Sequence, residues 1–355
     1  MAKSASVTRA LGALLLTGLV LATSLGDPVT VAAASAPSQR EMLGWLRTLG
    51  APVLDSALDV VRENSLVDGS DGRLTVMVLG TDTRNSGWGL TDVILIASID
   101  QATNQVSLAS IPRDIGKFPN PNGGTYVGKV NNLVKKIGLT SFERAVEYTL
   151  DIEIDYNVLI TFRGFETMVD NVDGAGIIVS NPKQIADPKF WDDPNKPKGV
   201  YFPTGPNTLY ALPGGPLCNG LWRTRGTSST YWCHRALPFV RSRKGSGNSD
   251  FVRAKRQQSF LWGALGRVLS RGSGAALESL AATARGQVGI QQIRGTLPTT
   301  YAAAASLFSE LSNATLPANR QIVFAPNTYA TKIPNTSSYQ LKLTAVRAWT
   351  AAYMN

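Results

Sequence analysis

The chain has 355 residues, 43% of them hydrophobic, with 35 Lys or Arg against 25 Asp or Glu and a formal net charge of +10. That length supports a full buried core, read here as one large domain behind a leader, and after residue 26 no second long apolar segment follows, which excludes a channel or polytopic transporter. The positive charge raises nucleic acid as a partner, but nine Lys or Arg fall between Arg223 and Arg256 against one acid, Asp250, so the charge marks a local site.

Lys3 and Arg9 precede an apolar run from Ala10 to Ala22, and small residues at 32–36 offer a cleavage site. Residues 1–36 therefore read as a signal peptide or, extended to Gly26, as an uncleaved membrane anchor. Either places the body outside the cytoplasm and argues against nucleic acid. Residues 37–72 form a weakly helical lead-in, and residues 73–355 the main domain.

The run Leu74 to Leu79 has the pattern of a buried strand, followed by a polar loop with Asp82 and Arg84. Val93 to Ile99 and Val106 to Ile111 are spaced as a hairpin, the first preceded by Asp92 and the second followed by Pro112, Arg113 and Asp114. Residues 117–128 read as a loop, and Lys129 and Asn131 flank Val130 at the start of a helical segment ending at Ile137. Thr140 to Leu150 reads as a helix opened by a capping box, Thr140 with Glu143, and burying Phe142, Ala145, Val146 and Thr149. Tyr156 to Phe162 and Gly176 to Val179 are strand-like around a helix at 164–172. Alternating strands and helices predict an α/β/α sandwich around a central mixed sheet.

Residues 181–234 are rich in Pro, Gly, Asn and aromatics and read as a long binding loop or lid. Within it Cys218 and Cys233 are spaced for a disulfide in an oxidising compartment; a zinc site using His234, the sole histidine, is the alternative, without a visible fourth ligand. Ala236 to Arg241 resumes as a strand, which would put Arg241 and Arg243 on one face. Asp250 to Leu269 is the strongest helix, with Asp250, Arg253 and Gln257 on one face and Arg256 one turn inside. A helix N-terminus beside arginines suits an anion. Residues 300–311 and Lys342 to Met354 read as helices flanking a strand at Gln321 to Phe324. The polar clusters all sit at the ends of predicted strands, where open α/β sheets bind ligands. Two carboxylates without nearby histidine suit a hard cation such as Mg²⁺, and several arginines suit a diphosphate.

In this order the motifs LGTDTR (79–84), LTD (90–92), SIPRD (110–114), KVN (129–131), ALPFVRSR (236–243) and DFVRAKRQQ (250–258) resemble the LytR-CpsA-Psr family of cell-wall phosphotransferases. The resemblance implies transfer of a phosphoglycan from a polyprenyl-pyrophosphate carrier to a peptidoglycan hydroxyl at the outer face of the cytoplasmic membrane. It implies Asp82 and Asp92 as ligands of Mg²⁺, or Mn²⁺ in its place. Asp82, Asp92, Arg113, Arg241, Arg243 and Asp250 are expected to carry the chemistry, and Arg84, Lys129, Asn131, Arg253, Arg256 and Gln257 to bind substrate. The family frequently has an arginine two residues before the second aspartate, where this chain has Leu90; a non-catalytic polyprenyl-phosphate binding or cell-envelope regulatory module is the alternative.

Overall fold

The computed structural model describes residues 72–82, 89–100, 102–162, 164–166, 169, 176–190, 199–210, 236–245, 249–270, 288–292 and 314–355. The leader, nearly all of the lead-in, Arg84, Cys218, Cys233, His234 and the helix expected at 300–311 lie outside these residues.

The first apolar run forms β1 (Arg73–Thr81), buried along its length except at Gly80. It pairs antiparallel with β2 (Thr91–Asp100), which turns into β3 (Val106–Ser110) as the expected hairpin. On its other side β1 pairs in parallel with β6 (Tyr156–Ile160), which pairs antiparallel with β11 (Val288–Gln292); β12 (Gln321–Val323) adds in parallel to β3. The sheet is therefore mixed, in the order β11-β6-β1-β2-β3-β12.

Period-two alternation sends each strand's residues to two cores. Leu74, Val76 and Val78 join Leu95, Ala97, Leu108 and Val158 on one face, packed by α3 (Ala236–Arg241) and α4 (Asp250–Ser270). Met77 and Leu79 join Ile94, Ile96 and Ala109 on the other, packed by α1 (Leu133–Ile137), α2 (Leu139–Leu150) and α5 (Leu343–Tyr353). Helices on both faces make the expected α/β/α arrangement. The expected α2 face is buried, as is its Glu143.

Four local expectations are corrected. Ala236–Arg241 is a helix, because Pro238 falls in its first turn, where a missing N–H costs nothing, and because α4 supplies partners for its last carbonyls. The capping box does not form: Gly138, at φ 80°, occupies the N-cap of α2, and buried Glu143 instead accepts a hydrogen bond from Asn157 Nδ2 at 2.8 Å. The supposed loop at 117–128 contains a hairpin of β4 (Ile115–Pro119) and β5 (Thr125–Val127), joined to β14 (Tyr339–Leu341) and β13 (Ala330–Lys332) in a second sheet. The segment after 180 carries β8 (Ile185–Asp187), β9 (Val200–Phe202) and β10 (Gly205–Leu209); β10 pairs with β7 (Ile177–Asn181), and β8 with β9. Among the described residues no helix is long and apolar enough to cross a membrane.

Candidate active site

A cavity of about 380 Å³ lies between the first sheet face and the α3–α4 layer. Val78 of β1, Leu95 of β2 and Leu108 of β3 line it opposite Leu237 of α3 and Phe260 and Leu265 of α4. Toward the strand ends the lining becomes polar: Asp92, Arg113, Arg241, Arg243, Arg253 and Gln257 all face the cavity. The chain thus brings together residues from four of the predicted motifs, 10 to 165 positions apart, at one end of the sheet.

Arg113 follows β3 and is the hub. Its Nη1 donates to both Asp92 oxygens, at 3.0 and 2.8 Å, while its Nε lies 3.4 Å from Asp250 Oδ1. Asn131 Nδ2 donates to Asp92 Oδ1 at 3.2 Å, and the Asn131 backbone N–H donates to the Arg113 carbonyl at 3.4 Å. Asp250, in the first turn of α4, also pairs with Arg253 at 3.0 Å. Lys129 does not face the cavity but pairs with Asp114, which lies against Asp250.

Burial opposes the charge on Arg113, but Asp92 and Asp250 outweigh it and raise its pKa. Burial raises the carboxyl of Asp250 despite Arg253 and Arg113, with Asp114 adding to the rise. Asp114 moves the other way: burial is outweighed by the hydrogen bonds with Lys129 and Asp250, and its pKa is lowered. Burial depresses Arg253 against the pull of Asp250.

At the opposite rim the Arg241 guanidinium lies 4.0 Å from the centroid of the Phe162 ring and 6.0 Å from that of Phe190, a cation–π seat for a half-buried cation. Gln257 Nε2 donates to the Val240 carbonyl at 3.0 Å, which places the side chain at the cavity wall.

Arg256 does not take the substrate-facing position expected of it. It is fully buried, donating through Nε to the Phe239 carbonyl at 2.7 Å and through Nη2 to the Ser242 carbonyl, so it satisfies the orphan carbonyls of α3. Burial, helped by Arg253 and opposed by Asp187, pushes its pKa down to about 9. Asp82 is exposed and lies outside the cavity lining; its Oδ1 accepts the Leu90 N–H at 2.7 Å, fastening the ends of β1 and β2 beyond the Thr81–Thr91 pair. Among the described residues no group of three or more His, Cys, Asp or Glu is arranged to hold a metal ion.

Sequence reasoning missed Asp187, Lys189 and Lys244 at the rim, the rings of Phe162 and Phe190, and the apolar wall. Phe162 ends a readable strand, but nothing in its spacing announces a cation above it. Asp187 and Lys189 sit in a stretch without periodicity.

An apolar chamber with an arginine-lined mouth suits an amphiphile with an anionic head, and an α/β/α domain is the class of protein that holds it. The chain belongs to the LytR_cpsA_psr family, whose sequence profile matches residues 55–345. It is 26% identical over 192 residues to the polyisoprenyl-teichoic acid--peptidoglycan teichoic acid transferase TagU of Bacillus cereus, covering 54% of this chain and 52% of that one. It is 26% identical over 117 residues to the regulatory protein MsrR of Staphylococcus aureus, covering 33% and 35%. The matched segment thus spans about a third to a half of these relatives. In fold it is similar to TagV of B. subtilis, with TM-score 0.57 at 20% identity over 81% of this chain and 97% of the other. It is likewise similar to a Streptococcus agalactiae protein, with TM-score 0.58 at 19% identity over 80% and 89%.

Proposed function

We propose that this chain transfers a phosphoglycan from a polyprenyl-pyrophosphate carrier to a peptidoglycan hydroxyl, forming a phosphodiester, at the outer face of the cytoplasmic membrane. The observation that carries the reading is the junction of the apolar chamber with Arg113, Arg241, Arg243 and Arg253 at its mouth. The chamber takes the first part of the polyprenyl chain and the arginines take the pyrophosphate, whose charge a planar guanidinium fork neutralises bidentately. The names of TagU and of a solved TagT bound to LIIa-WTA support a wall-polymer donor.

In the reaction the acceptor oxygen forms a bond to the glycan-bearing phosphorus. The bridging P–O bond breaks, and polyprenyl phosphate departs with the electron pair. In this reading Asp92, a cavity-lining carboxylate oriented by Arg113 and Asn131, takes the hydroxyl proton. The arginines hold the phosphates and offset the charge gathering on them, which is most of what phosphoryl transfer asks of a protein.

Mg²⁺, or Mn²⁺, suits Asp92 by donor type, since hard cations of this kind bind one or two carboxylates plus substrate phosphate, whereas Asp82, exposed, outside the cavity lining and accepting the Leu90 N–H, does not share that site. Bound there, it would polarise a phosphoryl oxygen.

Incubating the full chain with a polyprenyl-pyrophosphoryl glycan, Mg²⁺ and peptidoglycan oligomers tests the reading by mass spectrometry of the phosphodiester. Absence of both transfer and carrier turnover overturns it; Arg241→Ala and Asp92→Ala are expected to abolish transfer while the fold persists. The name of MsrR and the exposed Leu90 favour a second reading, a non-catalytic polyprenyl-phosphate binding or regulatory module. Full biological function in an Asp82→Ala/Asp92→Ala variant that still binds lipid would select it.

A further inference from the structure

Ser242, between the two rim arginines, is 1% exposed and is held from two sides. Its hydroxyl donates to Asp187 Oδ2 at 2.8 Å, and the same oxygen accepts the Lys244 N–H at 3.3 Å. Its carbonyl accepts from Arg256. Asp187 ends β8 and is itself 3% exposed. The approach of β8 is close: a Cβ at Gly245, where φ is +95°, would lie 1.9 Å from the Ala186 carbonyl oxygen. The backbone carrying Arg241 and Arg243 is thus gripped through a hydroxyl by a buried anion and through a carbonyl by a buried cation.

A carboxylate beside an anion site repels the ligand, and burying it is costly unless it is hydrogen-bonded. Its inward bonds are what offset both effects. We propose that Asp187 is a positioning residue of the anion-binding mouth: by fixing Ser242 and Lys244 it sets the direction of Arg241 and Arg243, and through them the affinity for the pyrophosphate end of the donor. The inference rests on the functional reading above. It separates geometry from charge, because Asp187→Asn keeps an oxygen acceptor for Ser242 while removing the negative charge.

Isothermal titration of the full chain with geranyl pyrophosphate and Mg²⁺ tests it. Asp187→Ala is expected to weaken binding about tenfold, about 1.4 kcal/mol, whereas Asp187→Asn stays within about threefold of the natural chain, as retained hydrogen bonding predicts. In an Arg241→Ala/Arg243→Ala background Asp187→Ala should have no further effect, since a residue acting through partners has nothing left to act through. Equal binding by Asp187→Ala and the natural chain overturns the proposal, as does an Asp187→Asn variant as weak as Asp187→Ala, or an undiminished Asp187→Ala effect without the two arginines. If Asp187→Ala does not fold, Ser242→Ala removes one of the two bonds and is expected to weaken binding in the same direction; unchanged binding there overturns the proposal as well. Failure of the natural chain itself to bind geranyl pyrophosphate would instead overturn the functional reading.

Discussion

Arg113 is shared between Asp92 and Asp250, so on the proposed function an arriving phosphate would compete for a guanidinium already oriented at both ends. A lysine cannot span two carboxylates in this way, because it presents a point charge where arginine presents a rigid fork. Arg113→Lys should therefore fold yet lose transfer by about 10²-fold, the usual cost of removing one donor to developing charge, read as kcat at saturating donor. Far from the site, Asp100 accepts the N–H groups of Ala102 and Thr103, both at 3.0 Å, and pairs with Arg73 at 3.3 Å. Burial raises this carboxyl, but the Thr103 and Ala102 bonds and Arg73 outweigh it and its pKa is lowered. A lowered carboxylate adds stability that is present above its unfolded pKa and lost as pH falls through the folded value. Asp100→Asn should thus cost about 1 kcal/mol at neutral pH, and the gap should close below pH ~4, where the unfolded carboxylate also titrates. Thermal unfolding across pH checks this.

At the level of elements, α4 joins the two halves of the site, presenting Arg253 and Gln257 to the mouth and Phe260 and Leu265 to the chamber. It lies so close to β7 that a Cβ at Gly263 would sit 2.3 Å from the Ile178 carbonyl oxygen. Gly263→Ala should push the helix away and destabilise by about 1–3 kcal/mol. Gly266→Ala, with open space around it, should be neutral or stabilising by up to about 1 kcal/mol. Differential thermal shifts of the two variants decide it. This helix was legible in the sequence because Leu261, Ala264, Leu265, Val268 and Leu269 recur at helical spacing behind a polar opening with Asp250, Arg253 and Gln257 on one face. The six residues of α3 were not, since a short apolar run fits a buried strand or a helix equally and the carbonyl partners that settle it, Arg256 and Gln257, come from another element. The same reason hid the true role of Arg256: a motif shows that an arginine is present, not which way the fold turns it. The β4–β5 hairpin was hidden by Pro, Asn and Gly residues that signal turns without showing the three-residue strand beyond them. Asp92 and Arg113 were legible as neighbours because they border readable strands, whereas Arg241 ends a helix and Arg243 follows it.

For the molecule as a whole, the two cores are unlike. The face under α1, α2 and α5 contributes none of the cavity's described lining, whereas Val78, Leu95, Leu108, Phe260 and Leu265 belong both to the other core and to the cavity wall. On the proposed function, an apolar guest in that chamber would complete the cavity-lining core and be, in thermodynamic terms, a component of the folded state that the unfolded chain does not bind. Donor supplied at 100 times its Kd should add about 2.7 kcal/mol to unfolding, with the melting temperature climbing as ligand concentration rises. Inorganic pyrophosphate, which lacks the chain that fills the core, should match the donor's heat-capacity change on binding only in small part. Supply of carrier lipid would then govern the lifetime of the protein as well as its turnover.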